Sequence, residues 1–114
     1  MPKPKADYTE LAELDRWIHE PARLAIIATL AGCESADFVF LLNTTGLNKG
    51  NLSAHAIKLE QAGYIEVRKE FIGRSPHTLY RLTEKGRKAL KLYQTQIRRL
   101  MAQLGGSSPI QRHP

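Results

Sequence analysis

NKGNLSAHAIKLEQAG, residues Asn48 to Gly63, reads as one short helix. Asn48 stands at its start and Gly63 closes it. At 100° per residue, Leu52, Ala56 and Leu59 fall within a narrow arc. Gly50, Ala54, Ile57 and Gln61 fall opposite. Asn51 and Lys58 flank one side of that outward face, and Ser53 flanks the other. Such a helix can lay one face on a core and offer a small, polar face to a groove.

Moving toward the N-terminus, Thr44-Thr45-Gly46 makes a turn. Before it, Asp37 to Asn43 is expected as a helix capped by Ser35 or Asp37, with Phe38, Phe40, Leu41 and Leu42 as bulk. A strand is the competing reading of that run. A short helix, a tight glycine-containing turn and a second helix form the helix-turn-helix signature. Pro21 to Ala31 is a nearly all-apolar helix ended by Gly32. In it Leu24, Ile27, Ala28 and Ala31 are expected on the core, while Ile26 and Leu30 widen the stripe. Tyr8, Leu11, Leu14 and Ile18 recur at helical steps and predict a first helix from Asp7, with Asp7 as its cap and Trp17 beside the stripe.

Moving toward the C-terminus, the period changes from helical to alternating after Gly63. Ile65, Val67 and Phe71 take inward-type positions, Gly73 to Pro76 is a turn cluster, and His77 to Leu82 returns as a second strand. This is a β-hairpin, which must dock on the helices to be stable. With Arg68 on its outgoing strand and Lys69, Arg74 and His77 toward its loop, it is a basic finger. Thr83 then caps a last helix, and Glu84 suits its first turn. Leu90, Tyr93, Ile97, Leu100 and Leu104 are spaced as a heptad seam. The predicted fold is mainly α with a small antiparallel β-hairpin. Residues 7–104 form one domain between a flexible basic tail (1–6) and a disordered tail (105–114).

The 114 residues carry a net charge of +6 and are 42% hydrophobic, as expected of a globular protein that meets a polyanion. A charge excess serving only solubility is the competing reading. One cysteine, Cys33, excludes an internal disulfide and fits a reducing cytosol. It reads as a small core filler. We expect no signal peptide, no membrane span and a cytoplasmic location. His19, His55, His77 and His113 lack metal-ligand spacing. No phosphate-binding glycine loop, nucleophile motif or carboxylate pair is legible, so neither an enzyme nor a cofactor is expected.

The run LSAHAIKLEQAGYIEVRKEFIGRSPHTLYRLTEKG, residues 52 to 86, resembles the winged helix-turn-helix transcriptional regulators of bacteria and archaea, of the MarR/ArsR-like kind. The resemblance spans roughly Ile18 to Leu104. Its most specific parts are Leu59-Glu60-Gln61-Ala62-Gly63-Tyr64-Ile65 and Tyr80-Arg81-Leu82-Thr83-Glu84-Lys85-Gly86, and His19-Glu20-Pro21-Ala22-Arg23 resembles the entry to the first core helix. Ala56 departs from the large aliphatic residue usual in such proteins.

The resemblance implies a homodimer on a pseudo-palindromic operator in double-stranded DNA. The helix at about 48–62 would enter the major groove, and the wing at about 64–82 would reach backbone or minor groove. Dimerisation doubles the contacts and sets half-sites about 34–36 Å apart. Candidate DNA-binding residues are Lys49, Asn51, Ser53, Ala54, His55, Ile57 and Lys58 on the helix, with Arg68, Lys69, Arg74 and His77 on the wing. For His55, a bond within the domain competes with DNA contact. Candidate dimer residues are Tyr8, Leu11, Leu14 and Ile18 with Leu90, Tyr93, Ile97, Leu100 and Leu104, so that the terminal helices pair. The alternatives are a winged-helix protein-interaction module and a switch responding to an effector that the sequence does not name.

Overall fold

A computed structural model describes residues 7–105. The expected tails at 1–6 and 105–114 lie outside the described residues, apart from Gly105. In chain order the elements are a 3-10 helix (Thr9–Glu13), α1 (Pro21–Ala31), β1 (Ala36–Asp37), α2 (Phe38–Thr45), α3 (Lys49–Gln61), β2 (Ile65–Ile72), β3 (Ser75–Leu82) and α4 (Glu84–Leu104). The three strands form one antiparallel sheet in the order β1-β3-β2. Ile18, Ile26, Ile27, Leu30, Leu41, Leu52 and Leu59 are its largest fully buried side chains. Among the described residues no helix is long and apolar enough to cross a membrane.

The helix ends follow local chemistry. Glu20 accepts from the Arg23 N–H at the start of α1, where Pro21 needs no partner for its missing N–H. Asp37 caps α2 through the Phe40 N–H (2.8 Å), and Asn48 caps α3 through the Asn51 N–H (2.8 Å). Gly46, at φ 73°, ends α2 in the left-handed region and turns the chain into α3.

Three expectations need correction. The N-terminal segment is not an α-helix. Leu14 is extended (φ −61°, ψ 142°), and the Asp15 carboxylate accepts from the N–H groups of Trp17 and Ile18. An aspartate that captures nearby N–H groups offers the backbone an alternative to the helix. Leu14 and Ile18 still reach the core, by way of turns. Next, α2 begins one residue late, because Ala36-Asp37 pairs with Tyr80 and Leu79 of β3 and turns the hairpin into a three-stranded sheet. A two-residue strand is too short to leave a period. Last, the wing turn is only Gly73-Arg74, with Gly73 at φ 64°, and Ser75 and Pro76 already belong to β3. Phe71 has the parity of Ile65 and Val67, yet it is exposed because the strands outrun the core.

Smaller differences follow from α1 lying inside the fold. Ile26 and Leu30 are fully buried rather than peripheral, while Ala28 is exposed. Cys33 is half-buried.

The sharpest fit lies where α3, β2 and α4 meet. Thr83 caps α4 through the Gly86 N–H, while its hydroxyl donates to the Gly63 carbonyl (2.7 Å) and its N–H donates to the Tyr64 carbonyl (3.0 Å). A Cβ on Gly86 would overlap the Tyr64 carbonyl oxygen and lie 2.7 Å from Leu82 Cδ1. The obstacle is mostly backbone, so Gly86→Ala is expected to destabilise the fold by about 1–3 kcal/mol, read as a lower urea midpoint. On the other side of this corner the Tyr64 hydroxyl donates to Asp15. Burial first, and the Asp15 contact second, push the Tyr64 hydroxyl from 10.0 up to about 12. The protonated form is the stabilised one, so its contribution is whole below pH 10 and is lost as pH rises toward 12. Tyr64→Phe should flatten the fall in stability across that window when urea unfolding is followed against pH.

Candidate nucleic-acid interface

α3 displays the two faces that its sequence implies. Leu52, Ala56 and Leu59 are buried, and Lys49, Gly50, Asn51, Ser53, Ala54, Ile57, Lys58 and Gln61 are exposed. The modest volume of Ala56 is accommodated in the core without leaving that residue exposed. Ile57 is 54% exposed on an otherwise polar surface. The buried stripe holds the helix down, and the cap at Asn48 fixes where its first turn begins.

His55 differs from its neighbours. It is half-buried, 3.2 Å from Arg23 Nη1 and 3.9 Å from a Glu20 oxygen. Arginine has no acceptor, so His55 Nδ1 accepts and the ring proton sits on Nε2. Arg23 also donates to the carbonyls of Trp17 (2.7 Å) and Arg16 (3.1 Å). Burial raises the Glu20 pKa, but the Arg23 N–H bond, with the Arg23 charge nearby, outweighs it and leaves the carboxyl low. The competing reading of His55, a bond within the domain, is the geometry observed. Arg23 thus straps the segment before α1 to α3. Nothing in the periodicity of the sequence marked it for that role.

The basic residues of the wing divide between two faces and a tip. Register pairs Ile65, Val67, Lys69 and Phe71 with Leu82, Tyr80, Thr78 and Pro76 on one face. Glu66, Arg68, Glu70 and Ile72 pair with Arg81, Leu79, His77 and Ser75 on the other. Arg68 lies 3.6 Å from Glu66 and 3.6 Å from Glu70, and Arg81 lies 3.1 Å from Glu66. That face is therefore charge-compensated, and His77 sits on it opposite Glu70. Lys69 and Arg74 are exposed, without an ion pair among the described residues.

The sequence also understated α4. Lys85, Arg87, Lys88, Lys91, Arg98 and Arg99 stand against Glu84 alone, so most of the positive excess rides on this helix. Part of it is engaged. Lys85 donates to the Ala62 carbonyl (2.9 Å) and lies over the Tyr64 ring, and Arg99 pairs with Glu10 at 2.9 Å.

The residues expected at a dimer interface also divide. Leu14, Ile18, Leu90 and Tyr93 are buried within the chain itself, and Tyr93 meets His19 Nδ1 at 2.8 Å. Ile97 and Leu100 are half-buried, whereas Tyr8, Leu11 and Leu104 are exposed. Between α1 and α4 an open, largely apolar groove is lined by Leu24, Ala28, Ala31, Ile97 and Met101, with Arg98 at its rim. Among the described residues no group of three or more His, Cys, Asp or Glu side chains could hold a metal ion.

The Winged helix DNA-binding domain family model matches residues 22–101. An uncharacterized protein of Methanocaldococcus jannaschii is 38% identical over 78 residues, covering 68% of this chain and 85% of that one. A transcriptional regulator homologue protein from Pyrococcus horikoshii OT3 superposes with a TM-score of 0.77 at 27% identity, over 83% of this chain and 96% of its own. The transcriptional repressor CouR, bound to a 23-mer DNA duplex, shares the fold with a TM-score of 0.63 at 21% identity, over 90% of this chain and 89% of its own. MarR-family and ArsR-family regulators are among the other structural neighbours.

The strap makes its own prediction. His55→Ala removes the acceptor from Arg23 and should cost about 0.5–1.5 kcal/mol in urea unfolding, with His55→Gln recovering part of the loss. Equal stability of all three proteins would rule out a structural role for this bond.

Proposed function

The chain belongs to the winged helix DNA-binding domain family, and from that premise we propose that it is a sequence-specific transcriptional regulator that binds double-stranded DNA as a homodimer. One observation carries the reading. The outward face of α3 is exposed and largely small or polar along its length, while its other face is committed to the core.

In this reading α3 enters the major groove. Gly50 and Ala54 let the backbone approach, Asn51 and Ser53 reach base edges, and Ile57 meets a thymine methyl. Lys49 and Lys58 contact phosphates, which position the protein without reading sequence. His55 acts from behind, through its bond to Arg23. On the wing, Arg74 and Lys69 are the principal contacts with backbone or minor groove. Arg68 and His77 contribute less, because Glu66 and Glu70 share their face.

Burial within the chain sorts the dimer residues. Leu14, Ile18, Leu90 and Tyr93 back the interface from inside. The surface offered to the twin is the α1/α4 groove with Ile97, Leu100, Leu104, Tyr8 and Leu11. The DNA-bound CouR structure supports the use of this fold on duplex DNA.

Selection of bound duplexes from a random pool tests the whole reading. It should return a pseudo-palindrome with half-sites about 34–36 Å apart. Arg74→Ala should weaken binding to every sequence and lower the slope of log K against log salt by about 0.9 per protomer. Asn51→Ala or Ser53→Ala should instead change which bases are preferred. Failure of the wild-type protein to bind any duplex at low salt would overturn the proposal.

A further inference from the structure

The end of the wing carries apolar surface that the fold does not use. Phe71 is the most exposed large apolar side chain among the described residues, at 75%, and its neighbour Ile72 is 62% exposed. Phe71 sits opposite Pro76, and Ile72 sits opposite Ser75. Successive side chains alternate across a strand, so Phe71 and Pro76 coat one face of the tip and Ile72 the other. Gly73-Arg74 closes the ribbon with a single cation. The part of the sheet packed on the core ends earlier, at half-buried Val67 and buried Tyr80, with Lys69 and Thr78 between it and the tip. Exposed strand ends are ordinarily blunted with charge. Here apolar carbon stands on both faces of the tip, beyond the core.

We infer that the wing tip is an apolar wedge for the DNA minor groove, with Arg74 leading and Phe71 and Ile72 packing on sugar walls or between base steps. This rests on the reading of the wing as a DNA contact. Strands lie about 4.8 Å apart before side chains are added, and the minor groove is about 6 Å wide. The ribbon therefore stays outside and only side chains at its end enter. Phenylalanine, isoleucine and proline are side-chain types that serve as wedges there, at the expense of partly unstacking a base step. Arginine is the cation drawn to a narrow minor groove. A second copy of this chain is a poorer occupant. A symmetric tip-to-tip contact would set Arg74 and Lys69 against their own copies.

The test compares the wild-type protein with Phe71→Ser/Ile72→Ser, on a duplex selected from the random pool and over a series of salt concentrations. Both positions are exposed, and unchanged urea unfolding checks that the variant is folded. The expected result is about a tenfold or greater loss of affinity with an unchanged salt slope, because apolar contact is lost and no phosphate is released. Any bend that the wild-type protein induces in the DNA should also shrink in permuted-fragment gel shifts. Phe71→Leu should retain most of the affinity. If the wild-type protein binds and the double-serine variant binds equally well, the wedge is wrong and the wider reading stands. If the variant instead shifts from dimer to monomer in sedimentation, the tip serves the twin and the wedge is again wrong. Failure of the wild-type protein to bind duplex DNA would remove the reading beneath both.

Discussion

The close approach of Gly86 to the Tyr64 carbonyl fixes the geometry of everything that projects from the core. At that corner α3 ends, β2 begins and α4 begins, and Thr83 holds all three through its side chain and its N–H. In the proposed function, α3 and the hairpin beside it must keep a constant angle to each other. Here the angle is set by hydrogen bonds between backbone groups and one threonine, with no room for a Cβ at Gly86. The two segments whose sequence most resembles the family, Leu59 to Ile65 and Tyr80 to Gly86, are the two that meet here.

A second theme is the division of the basic side chains. Arg23 has three acceptors inside the chain, Lys85 is drawn onto the Tyr64 corner, Arg99 holds Glu10, and Arg68 lies between two glutamates. These residues add positive charge to the surface potential, but their geometry serves the fold. Lys49, Lys58, Lys69 and Arg74 are exposed on α3 and the wing, without such partners among the described residues. Net charge alone does not distinguish the two groups. Acceptors a few ångströms away do, because a phosphate must compete with a carbonyl or carboxylate oxygen already in place.

The N-terminal segment shows how one side chain can override a helical pattern. Asp15 accepts from two N–H groups in its own turn and from the Tyr64 hydroxyl across the fold. The helical spacing of Leu14 and Ile18 is real, and both are buried, but they arrive there by turns. The heptad spacing on α4 divides similarly. Its first members are consumed by the chain's own core, and its last member, Leu104, is exposed.

By itself the sequence determined the helices from Pro21 to Ala31 and at about 48–62, the hairpin, the capped start of α4, and the two faces of α3. These depend on side-chain period and on caps within a few residues of each other, which are local quantities. The resemblance added the family. Only the tertiary structure decided that Ala36-Asp37 joins the sheet, that His55 is strapped to Arg23, and that Phe71 stands in solvent despite its inward parity. Each of these depends on what lies across the fold from the residue, or on where the core stops along a strand. The exposure of residues 49 and 74 could be read locally, from the outward face of a helix and the tip of a turn. The surroundings of residue 55 come from distant parts of the chain, and the exposure of residue 71 depends on where the core stops along the strand.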